Sequence, residues 1–427
     1  MTVYAPGGKK RGPAGLFYGW WMVGAAVFVG LYVGGTIVYG FTAIFDPIIA
    51  EFGWSYAAVS FAASMRGAES GLLEPVVGRL VDSWGPRRII FIGGLFTASG
   101  LFLLSQTTSL TMFYGSFALL AVGMSCCGPT ALVTGVANWF RERLGLATGI
   151  ALSGLGMGGL VLPVMVALIA RYGWRMTFEL LGVGAVVLLL PLSLVFRHRP
   201  EDYGYLPDGC AARPVPLGSA AARVARVADG SGVSVREAIR TRSFWLLTFA
   251  FTVQVACVIT VVTHIMPYLS SIGIPRVQAG LMGTAIPVLS VVGRLGIGML
   301  ADRRSRTGMS VLSYSMMGVG VLCLAAAPGV GTWLLLVSPV VFGIGYGGNT
   351  SLRPALTREH FGRAYFGSIF GLIVGINAIG GIVGPPLAGW FYDTRGDYRT
   401  VWLVLAVLCL TSAFLVYLSR RCAVERA

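Results

Sequence analysis

The sequence is short of charge: only 11% of its 427 residues are Asp, Glu, Lys or Arg, less than half the share that solvates an ordinary globular surface. That deficit argues against a soluble fold. Histidine is scarce too, at three residues, and the seven cysteines show no metal-ligand spacing, so a zinc or redox centre is not expected. No glycine-rich phosphate loop follows a strand, and Ser153, set between Leu152 and Gly154, lacks the leading glycine and the strand of a nucleophile elbow. The expectations are therefore no enzyme, no cofactor, no bound metal and no ATP-driven step.

What the chain has instead is apolar length. Apolar residues make up 56% of it and glycine contributes 60 residues. About twelve stretches are long enough to cross the roughly 30 Å hydrocarbon core of a bilayer. They run over 19–44, 56–80, 89–106, 111–138, 145–170, 175–196, 243–270, 277–300, 308–327, 332–352, 366–391 and 399–419. The first follows Lys9, Lys10 and Arg11 without a small-residue cleavage site, so it is expected to stay as a span. Trp20, Trp21, Trp54, Trp174, Trp333 and Trp402 fall near span ends, where an amphipathic ring suits the headgroup region. Cys126, Cys127, Cys257, Cys323 and Cys409 lie inside spans and read as small packing residues.

A net charge of +15 invites a nucleic-acid reading, but in a membrane protein the distribution of cations over the loops decides topology. With the N-terminus in the cytoplasm, 25 of the 32 lysines and arginines fall on the inside and five, Arg171, Arg175, Arg276, Arg395 and Arg399, on the outside. The expectation is a multi-pass inner-membrane protein with both termini cytoplasmic, a monomer, and no nucleic acid as partner.

The one long polar stretch, 197–242, divides the spans into a bundle over 1–196 and a second over 243–427. The halves repeat. At an offset of 220, Pro47, Gly53, Gly78 and Asp82 match Pro267, Gly273, Gly298 and Asp302; at 222, Gly149, Gly158, Gly159 and Pro163 match Gly371, Gly380, Gly381 and Pro385; at 224, Arg175 matches Arg399. Parallel repeats of this kind carry a solute site near the bilayer midplane at the repeat interface and alternate its access by rocking. The fold expected is all-α, two pseudo-symmetric six-helix bundles.

After the second span the chain reads Gly78-Arg79-Leu80-Val81-Asp82-Ser83-Trp84-Gly85-Pro86-Arg87-Arg88, echoed by Gly298-Met299-Leu300-Ala301-Asp302-Arg303-Arg304. The first resembles the loop signature of the major facilitator superfamily. The resemblance implies a conformational latch at Gly78, Asp82, Arg87, Arg88 and Asp302, with Asp82 pairing loop arginines, although plain positive-inside charge explains Arg87 and Arg88 as well. Trp139-Phe140-Arg141-Glu142-Arg143 leading into Gly145-Leu146-Ala147-Thr148-Gly149, His264-Ile265-Met266-Pro267-Tyr268, and Gly293-Arg294 are similar to the monocarboxylate and oxalate:formate branch of that superfamily. This implies transport of small organic acid anions, coupled to protons or by exchange. Two departures stand out: Ser290 occupies the place of an aspartate one turn before the arginine, and the eleventh span has no cation where the oxalate exchanger has a lysine. A doubly charged oxalate is therefore not favoured.

An ionisable side chain at mid-bilayer costs about 3 kcal/mol on insertion scales, so each needs a partner or a function. Arg294 shares a helix face with Ser290, Pro287 and Gly283, away from Val288, Val292 and Leu295, and should point into the bundle. There it would hold a substrate carboxylate or an interhelical ion pair. Arg66 and Glu69 are three residues apart and read as a neutralised pair. Glu74, eight residues from Arg66, needs a proton or a cation from another helix, and with Glu69 is a candidate for proton coupling. His264 suits proton coupling or packing. Tyr346, Asn349 and Asn377 could bond substrate oxygens or neighbouring helices. The reading is a proton-coupled secondary transporter of a small organic (mono)carboxylate by alternating access, with a proton-driven exporter of drugs or metabolites and an organic anion exchanger as alternatives.

Overall fold

The computed structural model describes residues 3–9, 17–40, 45–54, 56–215, 233–274 and 276–424. Helices dominate, with one antiparallel ribbon of β1 (Val3–Lys9) and β2 (Cys210–Val215) that the apolar patterning does not foretell. The chain divides into two compact units, Met1–Ser234 with Phe361–Gly375, and Val235–His360 with Ile376–Ala427.

The first unit contains α1 (Tyr18–Val33), α2 (Phe45–Phe52), α3 (Tyr56–Trp84), α4 (Pro86–Ser105), α5 (Leu110–Cys126), α6 (Pro129–Trp139), α7 (Leu144–Met157) and α8 (Leu162–Val195). One span expected over 111–138 is two helices. Pro129 has no N–H to continue the ladder from α5, so the chain turns through Cys127 and Gly128 and restarts with proline at the first position of α6. Within α8 the chain is two helices that part at Gly173, whose φ of 78° and ψ of 164° are not helical, between the spans expected over 145–170 and 175–196. Glycine gives close approach where α7 meets α1: a Cβ on Gly154 would overlap the backbone of Val27.

The second unit holds α9 (Val235–Ile239), α10 (Arg242–Ser271), α11 (Arg276–Arg303), α12 (Arg306–Val330), α13 (Leu334–Phe361) and α15 (Arg399–Val424), plus α14 (Phe366–Arg395) from Ile376 onward. Its core joins Cys257, Val261 and Leu269 of α10 to Met317 and Val321 of α12 and Trp402, Ala406 and Cys409 of α15.

Among the described residues, ten helical segments are long and apolar enough to cross a membrane. The two expected spans missing from that set exist as α3 and α13, of 29 and 28 residues. α3 carries Arg66, Glu69, Glu74, Arg79 and Asp82, and α13 carries Arg353, Arg358 and Glu359 near its end. The headgroup reading of tryptophan suits Trp21 and Trp333, 50% and 58% exposed, but Trp174 and Trp402 are buried. Trp174 donates to Glu51 Oε2 at 2.7 Å, and Trp402 stacks on Tyr398. A hydrogen-bond acceptor and a ring neighbour compete successfully with the membrane interface for these two rings.

Candidate functional site

The second unit gathers a polar set inside an apolar interior. Helical periodicity brings Ser290 and Arg294 to the inner face of α11, 0% and 4% exposed, while Val288, Val292 and Leu295 face outward. The backbone of α13 comes against that face through glycine. A Cβ on Gly347 would overlap the Ser290 carbonyl and sit 2.9 Å from Arg294 N, and one on Gly293 would overlap Ile344 O. This contact positions Tyr346, whose hydroxyl accepts from Arg294 Nη2 at 3.2 Å while its ring lies 5.5 Å below the guanidinium carbon. Gln254 of α10, a residue not singled out from the sequence, is 1% exposed and donates to Tyr346 O at 3.3 Å and Thr350 Oγ1 at 3.4 Å. Its Oε1 is buried with no hydrogen bond among the described residues.

The other sequence candidates of this unit lie apart from that cluster. Asn349 turns to α12, accepting from Ser310 at 2.9 Å and donating to Met317 Sδ at 3.6 Å, as a packing residue does. Asn377 accepts from Thr252 at 3.0 Å, and its Nδ2 is buried with no hydrogen bond among the described residues. His264 has both ring nitrogens engaged, Nε2 3.0 Å from Pro385 O and Nδ1 3.2 Å from Tyr398 Oη. A carbonyl only accepts, so Nε2 carries the proton and Nδ1 accepts from the tyrosine. Neutral histidine satisfies both partners. Asp302 is half-buried in the last turn of α11, and Ser290 bonds its own helix at Pro287 O, 2.7 Å away.

In the first unit Glu74 is 5% exposed. Its partner is a hydroxyl: Thr130, at the start of α6, donates to Oε2. Gly128 is close enough that a Cβ there would lie 3.4 Å from Oε1. The break before Pro129 thus aims the positive end of α6 at the carboxyl, and among the described residues no ion pair reaches it. The side chains of Arg66 and Glu69 lie outside the described residues, so their pairing is not part of this picture.

The loop signature folds differently from the expected Asp-to-arginine pairing. Asp82 accepts from Gly367 N at 2.9 Å, Ser368 N at 2.6 Å and Ser368 Oγ at 2.7 Å, capping the start of α14. Free backbone N–H groups at a helix start outbid loop arginines because they are fixed in place and need no side-chain ordering. Gly78 allows this, since a Cβ would overlap Gly367 O. Arg87 and Arg88 are exposed and line a groove with Trp84, Phe91, Ile92 and Leu194.

Long apolar helices, buried charge and glycine-packed helix contacts match known membrane carriers. The chain is 27% identical to monocarboxylate transporter 12-B of Danio rerio, with 96% of this chain and 89% of that protein covered. It is 29% identical to monocarboxylate transporter 11 of Mus musculus, covering 95% and 88%. Among solved structures it superposes on the E. coli fucose:proton symporter FucP with a TM-score of 0.67 at 15% identity, covering 93% of this chain and 99% of that one. A XylE variant gives 0.72 at 14% identity, covering 94% and 95%. These two likenesses show the fold. The sequence profile of the Major Facilitator Superfamily matches residues 25–330 and 244–425, and the chain belongs to that superfamily as an all-α, multi-pass secondary transporter.

Proposed function

We propose that the chain moves a small organic carboxylate together with a proton, and that Arg294 holds the carboxylate. The observation that carries this reading is an arginine 4% exposed, set against Tyr346 in an apolar unit. A guanidinium presents a planar donor fork that matches one carboxylate, and burial strengthens each such bond. Relatives named monocarboxylate transporters support a monocarboxylate as the minimal ligand. Tyr346 and Gln254 would bind its remaining oxygens, while Asn377 and Asn349 serve helix packing.

Glu74 is the proton carrier in this scheme. A buried carboxyl whose hydrogen-bond partner is a hydroxyl can exist with or without a proton, because Thr130 can donate to one form and accept from the other. An anion on Arg294 with one proton on Glu74 crosses without net charge. Asp82 and the start of α14 act as the latch, with Arg87, Arg88 and Asp302 contributing cytoplasmic charge. The excess of cations on alternate loops supports an inner-membrane location with both termini cytoplasmic, and one chain supplies both units, so a monomer suffices.

Uptake of labelled lactate or pyruvate into proteoliposomes, driven by an inward proton gradient, tests the reading. A hydrogen bond to a charged group contributes about 1.5–3 kcal/mol, so Arg294→Ala should weaken uptake about tenfold to a hundredfold. Equal uptake by the variant and the parent protein would remove Arg294 from the site.

A further inference from the structure

The start of α4 and the end of α8 lie at one edge of the membrane-crossing part of the first unit, since one apolar span begins at Pro86 and another ends at Val195. Gly94 draws the two helices together: a Cβ there would stand 3.0 Å from Leu190 Cδ2 and 3.2 Å from Leu189 Cβ. Beside that seam opens the groove lined by Trp84, Arg87, Arg88, Phe91, Ile92 and Leu194, about 490 Å³ in volume. Exposed apolar side chains continue from it along both helices, Leu95 one turn on from Phe91 and Val187 two turns back from Leu194. Trp84, 52% exposed, sets the depth, because an exposed indole at a span end belongs to the headgroup layer.

A surface at this depth is covered by lipid, and its chemistry decides which lipid. Arg87 and Arg88 are exposed, and among the described residues neither makes a hydrogen bond or an ion pair. Acids on the flanking segments are engaged elsewhere: Asp82 caps the start of α14, and Glu201 is held by Arg363. The groove lining contains no Asp or Glu among the described residues, so no carboxylate there answers the ammonium of a zwitterionic headgroup. Two guanidinium forks match phosphate oxygens, and the apolar floor below them suits a hydrocarbon chain.

We infer that this groove binds an anionic phospholipid, with Arg87 and Arg88 on the headgroup phosphate and Phe91, Ile92 and Leu194 against the top of an acyl chain. Cations at the membrane surface attract anionic lipid as a diffuse cloud. Here the groove adds a fixed place for the chain, which turns attraction into a site. The assignment is independent of the carboxylate reading of Arg294.

Tryptophan quenching tests it. The full-length protein is placed in phosphatidylcholine vesicles with a minor share of phosphatidylglycerol, one lipid or the other carrying bromine near the top of its acyl chains. Subtracting the signal of Trp84→Phe isolates the ring in the groove. Per mole of lipid and at low salt, brominated phosphatidylglycerol should quench Trp84 about tenfold more effectively than brominated phosphatidylcholine, the preference two surface cations supply. Arg87→Gln with Arg88→Gln should bring the two lipids to parity. Arg303→Gln with Arg304→Gln, which removes two exposed cations from the second unit, should keep the preference. Parity in the parent protein overturns the proposal, and so does a preference that survives loss of Arg87 and Arg88, which would be diffuse attraction alone. Glycerol phosphate in the buffer should leave the quenching unchanged; displacement of the lipid by it would make this a site for soluble phosphate and overturn the lipid assignment.

Discussion

Glu74 occupies a place where a charge is hard to keep, 5% exposed inside a membrane helix, and what meets it is the Thr130 hydroxyl. An amide at this position keeps a hydrogen bond to Thr130 but cannot release a proton. Glu74→Gln should therefore fold normally and still exchange labelled for unlabelled substrate, while losing uptake driven by a pH gradient. Gradient-driven uptake at the parent rate would take the proton off this residue. The inward turn of Arg294 was readable from the sequence because the 3.6-residue period alone sorts it from Val288, Val292 and Leu295. The partner of Glu74 was not, since Thr130 is 56 residues away and arrives there only because the chain breaks at Gly128 and Pro129. The end of α13 was misplaced: Arg353, Pro354, Arg358 and Glu359 read as the cytoplasmic side of a span ending at 352, yet the helix continues to Phe361. Gln254 gave no signal beyond being a lone amide in an apolar run.

At the scale of elements, the approach of α11 to α13 sets the geometry of the site. Gly293 and Gly347 leave no room for a methyl group, each facing backbone atoms of the other helix, whereas Gly296 has nothing within 4 Å. Small residues let membrane helices come close enough for dispersion and weak polar contacts to hold them. Gly347→Ala should force the helices apart at a cost of about 1–3 kcal/mol, the usual range for overpacking, and should weaken carboxylate binding as Tyr346 moves off Arg294. Gly296→Ala is the control, expected to be neutral or slightly stabilising through helix propensity. Thermal melting of both variants checks this; equal melting temperatures would mean the contact is slack. Existence of the helices was legible from apolar length. Their interruptions were less so, because proline and glycine inside an apolar run mark a break only when a neighbouring element needs the space.

At the scale of the whole molecule, the polar stretch after α8 is more than a tether. Trp139 Nε1 donates to Arg197 O at 3.2 Å, Asn138 Nδ2 to His198 O at 3.3 Å, and Arg363 forks onto Glu201 at 2.8 and 3.0 Å. Asp208 accepts from the backbone N–H groups of Arg141 and Glu142. These contacts all lie in the first unit and bind the polar stretch to the ends of its helices. Composition marked the segment as polar and could not reveal where its side chains dock. Gly85, at φ 82°, turns the chain from α3 to α4 and lies against His198, where a Cβ would stand 3.1 Å from the histidine Cβ.

That docking makes stability respond to pH. Burial holds the His198 pKa below its ordinary value of 6.5, Arg199 and Arg363 push the same way, and Asp202 and Glu201 oppose them. Between the lowered value and 6.5 the unfolded segment binds more proton than the folded one, so stability rises with pH across that window. The contribution is complete above 6.5 and is lost as pH falls toward the folded value. Melting temperature should therefore drop on acidification just below 6.5, and His198→Asn, which titrates nowhere, should flatten that part of the curve. An identical slope in the variant would place the acid sensitivity on another group.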